Sequence, residues 1–348
     1  MGKQLFFKGS ETFMDVYFDA LQLNHQPSTE WSDGKAIHHF EKAARAEVIL
    51  DQLKSSSDVF RLKEPFEGLR EDVFTKIHDP SYLKAFKLSK HLGEKKFFPS
   101  VFAYGEKPKN PTNIKHLGSF CFDSLTPVMA QTYQIAEKSA LCAISGALAL
   151  ASGEKVSYAL CRPPGHHAGR DVFGGYCYFN NAALAAKTLS EKGYKVAILD
   201  IDFHHGNGTQ SIFYQDPSIL TVSIHGDPED YFPYFSGSAI ETGKGKGEGF
   251  NVNIPLPEGS CFSDYLKVLR EKGFSRIRDF CPDVLVVSAG FDTHKDDPLG
   301  GFGLETADYQ VLAEEIRLLA RKTLIVQEGG YHVGLIGENV ARFLYGFL

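Results

Sequence analysis

The chain has one tryptophan, three methionines and six cysteines, and none of the cysteines falls in a Cys-x-x-Cys spacing. That absence argues against a thiolate zinc site and against a disulfide framework, and free thiols suit a reducing compartment. No apolar run approaches the roughly 18 residues of a membrane span. The opening MGKQLFFKGS lacks the long apolar centre of a signal peptide. Basic residues are not in excess, since the net charge is −6, so there is no general electrostatic pull toward nucleic acid. Internal repeats, low-complexity tracts and convincing interdomain linkers are also missing. The expectation is a cytoplasmic protein with no nucleic-acid or membrane partner. What is present is 348 residues with 43% hydrophobic content, ample for a large core, and the whole of 1–348 is expected to form a single domain.

The organising stretch is KVAILDIDFHHGNGT, 195–209. Its first half is apolar and rich in branched residues, as a strand buried on both faces of a parallel sheet would be. Its second half carries Asp200, Asp202, His204 and His205. Strand alternation would point Asp200, Asp202 and His204 the same way. Buried carboxylates at a strand end are costly unless something positive pairs with them, and ligands in open α/β sheets sit at that end.

Taken in order, an opening strand is expected around Leu5 to Phe7. Residues 10–36 show no clear period and are expected to be a long loop, either a wall of the site or a subunit contact. Helical patterns cover 40–53 and the Ala-rich 127–152, and Glu71 to Phe86 contains IHDPSYLKAF, a turn leading into a helix. His78 is read as structural. Residues 90–118 are polar and irregular, and are expected to be a second long loop. Strands are expected in VSYALCRPPGHHAG (156–169), SILTVSIHG (218–226), DVLVVSAGFD (283–292) and TLIVQEGGY (323–331). Helices are expected over 180–189, 262–279, 306–321 and through Val340. ETGKGKGEG (241–249) is Gly-rich but lacks the Gly-Lys-Ser/Thr of a phosphate loop. This alternation implies a parallel sheet with helices on both faces. Four of its strands run into His166/His167, Asp202/His204, Asp292 and Tyr331, whose convergence on one sheet edge is the main functional inference.

Asp202, His204 and Asp292 offer two oxygens and one nitrogen. Catalytic zinc keeps three such ligands and one open position, and metal-bound water ionises near neutral pH. His166 and His167 follow a rigid Pro-Pro-Gly turn, as positioned acid/base groups would. Tyr331 after two glycines is a donor for an oxyanion. Together they describe amide or ester hydrolysis.

The motifs RPPGHHAG, GGYCYFNNAA, ILDIDFHHGNGTQ, TVSIHGDP, SAGFDTHKDDPLGG and EGGY resemble the zinc-dependent histone deacetylase family, in particular its bacterial acetylpolyamine amidohydrolase branch. The resemblance implies the arginase–deacetylase fold with a central eight-stranded parallel sheet. It implies zinc on Asp202, His204 and Asp292, with His167 as general base, His166 as its electrostatic partner and Tyr331 polarising the acetyl carbonyl. Asp200 and Asn207 would orient the two histidines. Tyr176 and Phe232 would line a narrow acyl tunnel, with Leu299 near its mouth. The family also binds potassium; Asp200, Asp202, the His204 backbone, Ser223 and Ile224 match an inner site, and Phe213, Asp216, Ile219 and Phe250 an outer one. A homodimer or homotetramer is implied. Arginases share the fold but hold two manganese ions through Asp-x-His-x-Asp; Gly206 stands at that last position here, which favours one metal.

The implied activity is a zinc-dependent deacetylase, a hydrolase of linear amide C–N bonds, acting on acetylated polyamines or similar small acetylated amines. Lys115 in NPTNIKHLG stands where that branch carries a carboxylate, and DPLGG (297–301) resembles enzymes that act on acetyl-lysine. The alternative is therefore a protein or peptide acetyl-lysine deacetylase, and the remote one a non-catalytic binder of acetylated ligands.

Overall fold

The computed structural model describes residues 13–32, 34–68, 72–102 and 105–348; the strand expected around Leu5 to Phe7 lies outside them. Ten strands occur among the described residues: β1 Met14–Tyr17, β2 Thr29–Ser32, β3 Lys35–His38, β4 Phe60–Lys63, β5 Val156–Ala159, β6 Val196–Asp200, β7 Ile219–Gly226, β8 Asn251–Leu256, β9 Val284–Ala289 and β10 Lys322–Gln327. Eight of them form one parallel sheet in the order β4-β1-β5-β10-β9-β6-β7-β8, and β2 and β3 pair as a separate antiparallel hairpin. This is the arginase–deacetylase arrangement of a central eight-stranded sheet covered by helices.

Both faces of the sheet are buried, and alternation along each strand divides the core. Ile198, Val286 and Leu324 face the Ala-rich helix Thr132–Ala151 and the helix Asn181–Ser190. Leu199, Val287 and Ile325 face the opposite cluster, which includes the helices Ala43–Lys54, Thr306–Ile316 and Val333–Tyr345. Two-sided burial is why these strands read as continuous apolar runs in the sequence.

Three sheet strands escaped the pattern. Residues 10–36 are not one irregular loop: they contain β1, a short 3-10 turn at Ala20–Asn24 and the first strand of the hairpin. β4 is an edge strand with Arg61, Leu62 and Lys63 exposed, so no apolar run marks it. β8, at the other edge, carries Asn251, Asn253 and Pro255; proline is tolerated there because an edge strand need not donate on both sides. Residues 90–118 are largely irregular as expected, with a 3-10 turn at Ile114–Ser119. The helix begun at Thr306 ends at Ile316, the 262–279 helix is interrupted by a π turn at Leu269–Phe274, and the final helix continues past Val340 to Tyr345. The Gly-rich 241–249 segment leads into β8 rather than a helix.

His78 is structural. Its Nδ1 lies 2.9 Å from the Gly169 carbonyl and its Nε2 accepts from Asn180 N at 3.0 Å. Those partners require the neutral ring with the proton on Nδ1. Burial lowers its pKa from 6.5 to about 4, and burial does the same to His25. Between those values the unfolded chain binds more protons than the folded one, so stability is complete above pH 6.5 and declines as pH falls toward 4. Urea midpoints measured across that window should fall with pH, and a His78→Gln variant should show a shallower decline from a lower starting stability.

Candidate active site

β5, β10, β9 and β6 are consecutive neighbours in the sheet. The segments leaving their carboxyl ends therefore meet, and they carry His166/His167, Tyr331, Asp292 and Asp202/His204 respectively. The expected strand alternation is not what aligns Asp200, Asp202 and His204, because β6 ends at Asp200. The chain instead turns through side-chain-to-backbone bonds. Asp202 N donates to Asp200 Oδ1 (3.1 Å) and His204 N to Asp202 Oδ1 (2.9 Å), while Phe203 N donates to Asp292 Oδ1 (2.9 Å). Aspartates that bond the backbone two residues on favour such turns.

Ligand atoms of Asp202, His204 and Asp292 all lie within 4.8 Å of one another. His204 Nδ1 is 3.1 Å from Asp292 Oδ2 and 3.4 Å from Asp202 Oδ1. Burial, and then the charge of Asp202, raises the Asp292 carboxyl to about 7. Burial opposes charge on His204, but its hydrogen bonds to the carboxylates of Asp202 and then Asp292 lift it to about 9. Two buried acids holding a proton between them and an imidazole are a site that a cation would relieve. Among the described residues the only cationic partners within ion-pair distance of either acid are His166 and His204. Gly329 completes the cradle: its N donates to Asp202 Oδ2 at 2.8 Å, and a Cβ there would press into Asp292 Oδ2 and stand 2.6 Å from Asp202 Oδ2. The oxygen and nitrogen donor set fits one divalent metal with room for a further ligand.

The two tandem histidines are held differently. His166 Nδ1 lies 3.0 Å from Asp200 Oδ2 and its Nε2 3.8 Å from Asp202 Oδ1. Burial works against its charge, yet Asp202 and then Asp200 raise its pKa to about 10. His167 Nδ1 lies 2.7 Å from Asn207 Oδ1. An amide oxygen only accepts, so Nδ1 carries the proton and Nε2 keeps its lone pair. Burial, then the charges of His166 and His204, hold His167 well below the usual imidazole range. Tyr331 is buried, which pushes its phenol well above the usual value against the pull of Arg45. It is a proton donor at neutral pH.

One continuous cavity of about 710 Å³ reaches this group and is lined by His167, His204 and Tyr331. Tyr176, Phe232 and Leu299 also line it. The Phe232 ring stands 5.0 Å from the His167 ring at 90°, and Tyr176 5.8 Å from Tyr331. Glu30, Ser32 and Ile37 bring the β2–β3 hairpin onto the wall. Lys115 is exposed on the 114–119 turn and is not part of the wall.

The residues matched to potassium are also placed. Asp200 and Ser223 are paired across β6 and β7 and face a small cavity of about 10 Å³ together with His205, Gln210, Asn251 and Asn253. Ile224 is the next residue of β7. Phe213 ends the helix Asn207–Phe213 and its carbonyl accepts from Asp216 N; Ile219 begins β7, and the Phe250 carbonyl accepts from Thr221 N at 3.0 Å.

Several supporting residues carry no local motif. Arg45, on the helix Ala43–Lys54, donates to the Glu328 carbonyl (2.7 Å) and to Glu41 Oε1 (2.8 Å), and lies 4.8 Å over the Tyr331 ring. Asp297 Oδ2 accepts from Tyr331 N (2.6 Å) and His332 N (3.0 Å). Tyr176 donates to Glu30 Oε1 at 2.9 Å. Arg45 is buried and paired, as a buried arginine must be, but nothing in the sequence marks it as buried.

Comparison with known proteins agrees with this geometry. The histone deacetylase domain model matches residues 39–347. The chain is 40% identical over 342 residues to the acetylpolyamine amidohydrolase of Mycoplana ramosa, covering 96% of this chain and 99% of that one. It is 39% identical over 344 residues to acetylpolyamine amidohydrolase 1 of Pseudomonas aeruginosa, covering 96% and 98%. The crystal structure of acetylpolyamine aminohydrolase from Burkholderia pseudomallei superposes with a TM-score of 0.89 at 35% identity, covering 96% of this chain and 98% of that one. No helix among the described residues is long and apolar enough to cross a membrane.

A Gly329→Ala substitution tests the cradle. It should cut the bound divalent metal at least about tenfold, read by elemental analysis after dialysis, while far-UV circular dichroism stays unchanged.

Proposed function

This chain belongs to the histone deacetylase domain family, and we propose that it hydrolyses the acetyl amide of acetylated polyamines or similar small acetylated amines, using one zinc ion. The observation that carries this reading is the meeting of the Asp202–His204–Asp292 group, the Tyr331 phenol and the tandem histidines at one end of a single cavity.

Asp202, Asp292 and His204 would hold the metal through two oxygens and one nitrogen, a set that suits zinc, although iron or cobalt can occupy such a site. When bound, the metal supplies a Lewis acid and an ionisable water. The chain's own groups do the rest. Tyr331 donates to the acetyl oxygen and strengthens that bond as negative charge gathers there. His167 Nε2, its tautomer set by Asn207, takes the proton from the attacking water and passes it to the departing amine. His166, held by Asp200, adds positive charge beside His167 and stabilises the site's anionic groups. Tyr176 and Phe232 flank the arm of the substrate and exclude water. Asp200, Asp202, the His204 backbone, Ser223 and Ile224 would hold an inner potassium, and Phe213, Asp216, Ile219 and Phe250 an outer one, bracing the β6 and β7 ends.

The relatives' names support the substrate class, and Lys115 is not among the residues that line the cavity. Tyr331→Phe and His167→Ala should each lower turnover by roughly two to four orders of magnitude while metal content is retained. Chelation should abolish activity and added zinc restore it. A panel of acetylspermidine, acetylputrescine, acetylcadaverine and an acetyl-lysine peptide should show the small amines preferred. Hydrolysis of the peptide alone would overturn the substrate assignment, and near-normal turnover in either variant would overturn the residue roles.

A further inference from the structure

The cavity does not stop at the tunnel. Beyond Phe232 its wall continues onto Phe122, Tyr234 and Phe235. Phe122 stacks with Phe232 (5.7 Å, 26°) and meets Phe235 edge-on (5.7 Å, 84°), while Tyr234 lies 6.3 Å from Phe232 at 80°. Tyr234 and Phe235 remain 65% and 64% exposed. Large rings left open to water are costly and mark contact sites.

The backbone is strained at the same place. Three described non-glycine residues have positive φ, namely Tyr176 (64°), Tyr234 (67°) and Cys281 (51°), and two of them line this cavity. A non-glycine residue in the left-handed region costs free energy and persists only where its surroundings dictate it. Here they do. The segment following the rings is clamped from beneath: Gly237 N donates to Glu241 Oε2 (3.0 Å), the Gly237 carbonyl faces His225 Nε2 (2.9 Å), and Asn253 Nδ2 donates to the Ser238 carbonyl (3.2 Å). Gln210 Nε2 closes the clamp, donating to Glu241 Oε2 at 2.6 Å and to Ser236 Oγ at 3.2 Å.

Charge selects the occupant. Among the described residues the wall contains no lysine or arginine, and its only carboxylates are Glu30 and Asp123. Both are committed to the fold, Glu30 to Tyr176 and His39, Asp123 to Thr126, Leu125 and Gly175. They contribute a negative field without offering a free oxygen. Ring faces in a negative field attract an ammonium group, whereas an uncharged tail would gain only apolar contact.

We propose that Phe122, Tyr234 and Phe235, with Phe232 beneath them, form an ammonium subsite that takes the distal protonated amine of a linear acetylated amine. The proposal rests on the deacetylase reading above. These rings determine specificity by attraction to charge and take no part in bond breaking.

The test compares acetylputrescine and acetylcadaverine with N-pentylacetamide and N-hexylacetamide, in which a methyl group replaces the terminal ammonium. Wild-type enzyme should favour the charged member of each pair in kcat/KM. In Phe122→Leu/Phe235→Leu the ratio of charged to neutral should fall about tenfold, equivalent to ~1.4 kcal/mol. Phe235→Tyr, which keeps a ring, should preserve it. A wild-type preference for the neutral member, or a ratio changed by less than about twofold in the double variant, would overturn the proposal. So would loss of all turnover with a changed sedimentation coefficient, which would assign the rings to a subunit contact. If metal-loaded wild-type enzyme hydrolyses none of the four, the deacetylase reading fails instead. Calorimetric binding of the same pairs to the same proteins then decides the subsite by the same ratio.

Discussion

Two carboxylates with almost no solvent, Asp202 and Asp292, face each other across the carboxyl ends of β6 and β9. Removing even one carboxylate from water costs several kcal/mol after relaxation, and placing a second beside it adds repulsion. Much of the surrounding architecture answers that cost. Three of their four oxygens accept backbone N–H groups, from Gly329, His204 and Phe203. The fourth, Asp292 Oδ2, faces His204 Nδ1. A divalent cation is the remaining partner that would satisfy the group.

The same demand explains features at some distance. Gly329 must be glycine because any side chain would occupy the space between the acids. That glycine sits in the turn that delivers Tyr331, and the turn is held from behind by Arg45 and from the side by Asp297. Arg45 is itself buried and depends on Glu41, which also pairs with Arg162 at 2.8 Å, one residue before the Pro-Pro-Gly turn of the tandem histidines. A single ionic chain therefore links the turn after β10 to the turn after β5. The phenol and the imidazoles are positioned as a set rather than singly.

Farther out the logic changes from charge compensation to shape and ring faces. Tyr176 belongs to both layers: its ring lines the passage while its hydroxyl ties the β2–β3 hairpin to the wall through Glu30. Glu241 lies in the Gly-rich 241–249 segment, which lacks the Gly-Lys-Ser/Thr of a phosphate loop. Its carboxylate is taken up by Gln210 and Gly237 and anchors the aromatic rim.

What the sequence by itself determined was the centre of the sheet and the set of polar residues gathered at its edge. β5, β6, β7, β9 and β10 are buried on both faces, so each is written as a largely apolar run followed by polar residues, and that contrast survives without coordinates. Asp202, His204, Asp292, His166, His167 and Tyr331 were legible for the same reason: charge abruptly follows an interior strand. Tertiary structure alone decided the rest. β1, β4 and β8 are short or one-sided and leave no period. Arg45, Glu41 and Glu30 act on residues more than a hundred positions along the chain, and Asp297 on residues more than thirty along, distances that no local pattern records. The position of Lys115 outside the cavity wall likewise depends on how the 114–119 turn packs, because a linear spacing specifies neighbours along the chain and not the direction in which a loop presents its charge.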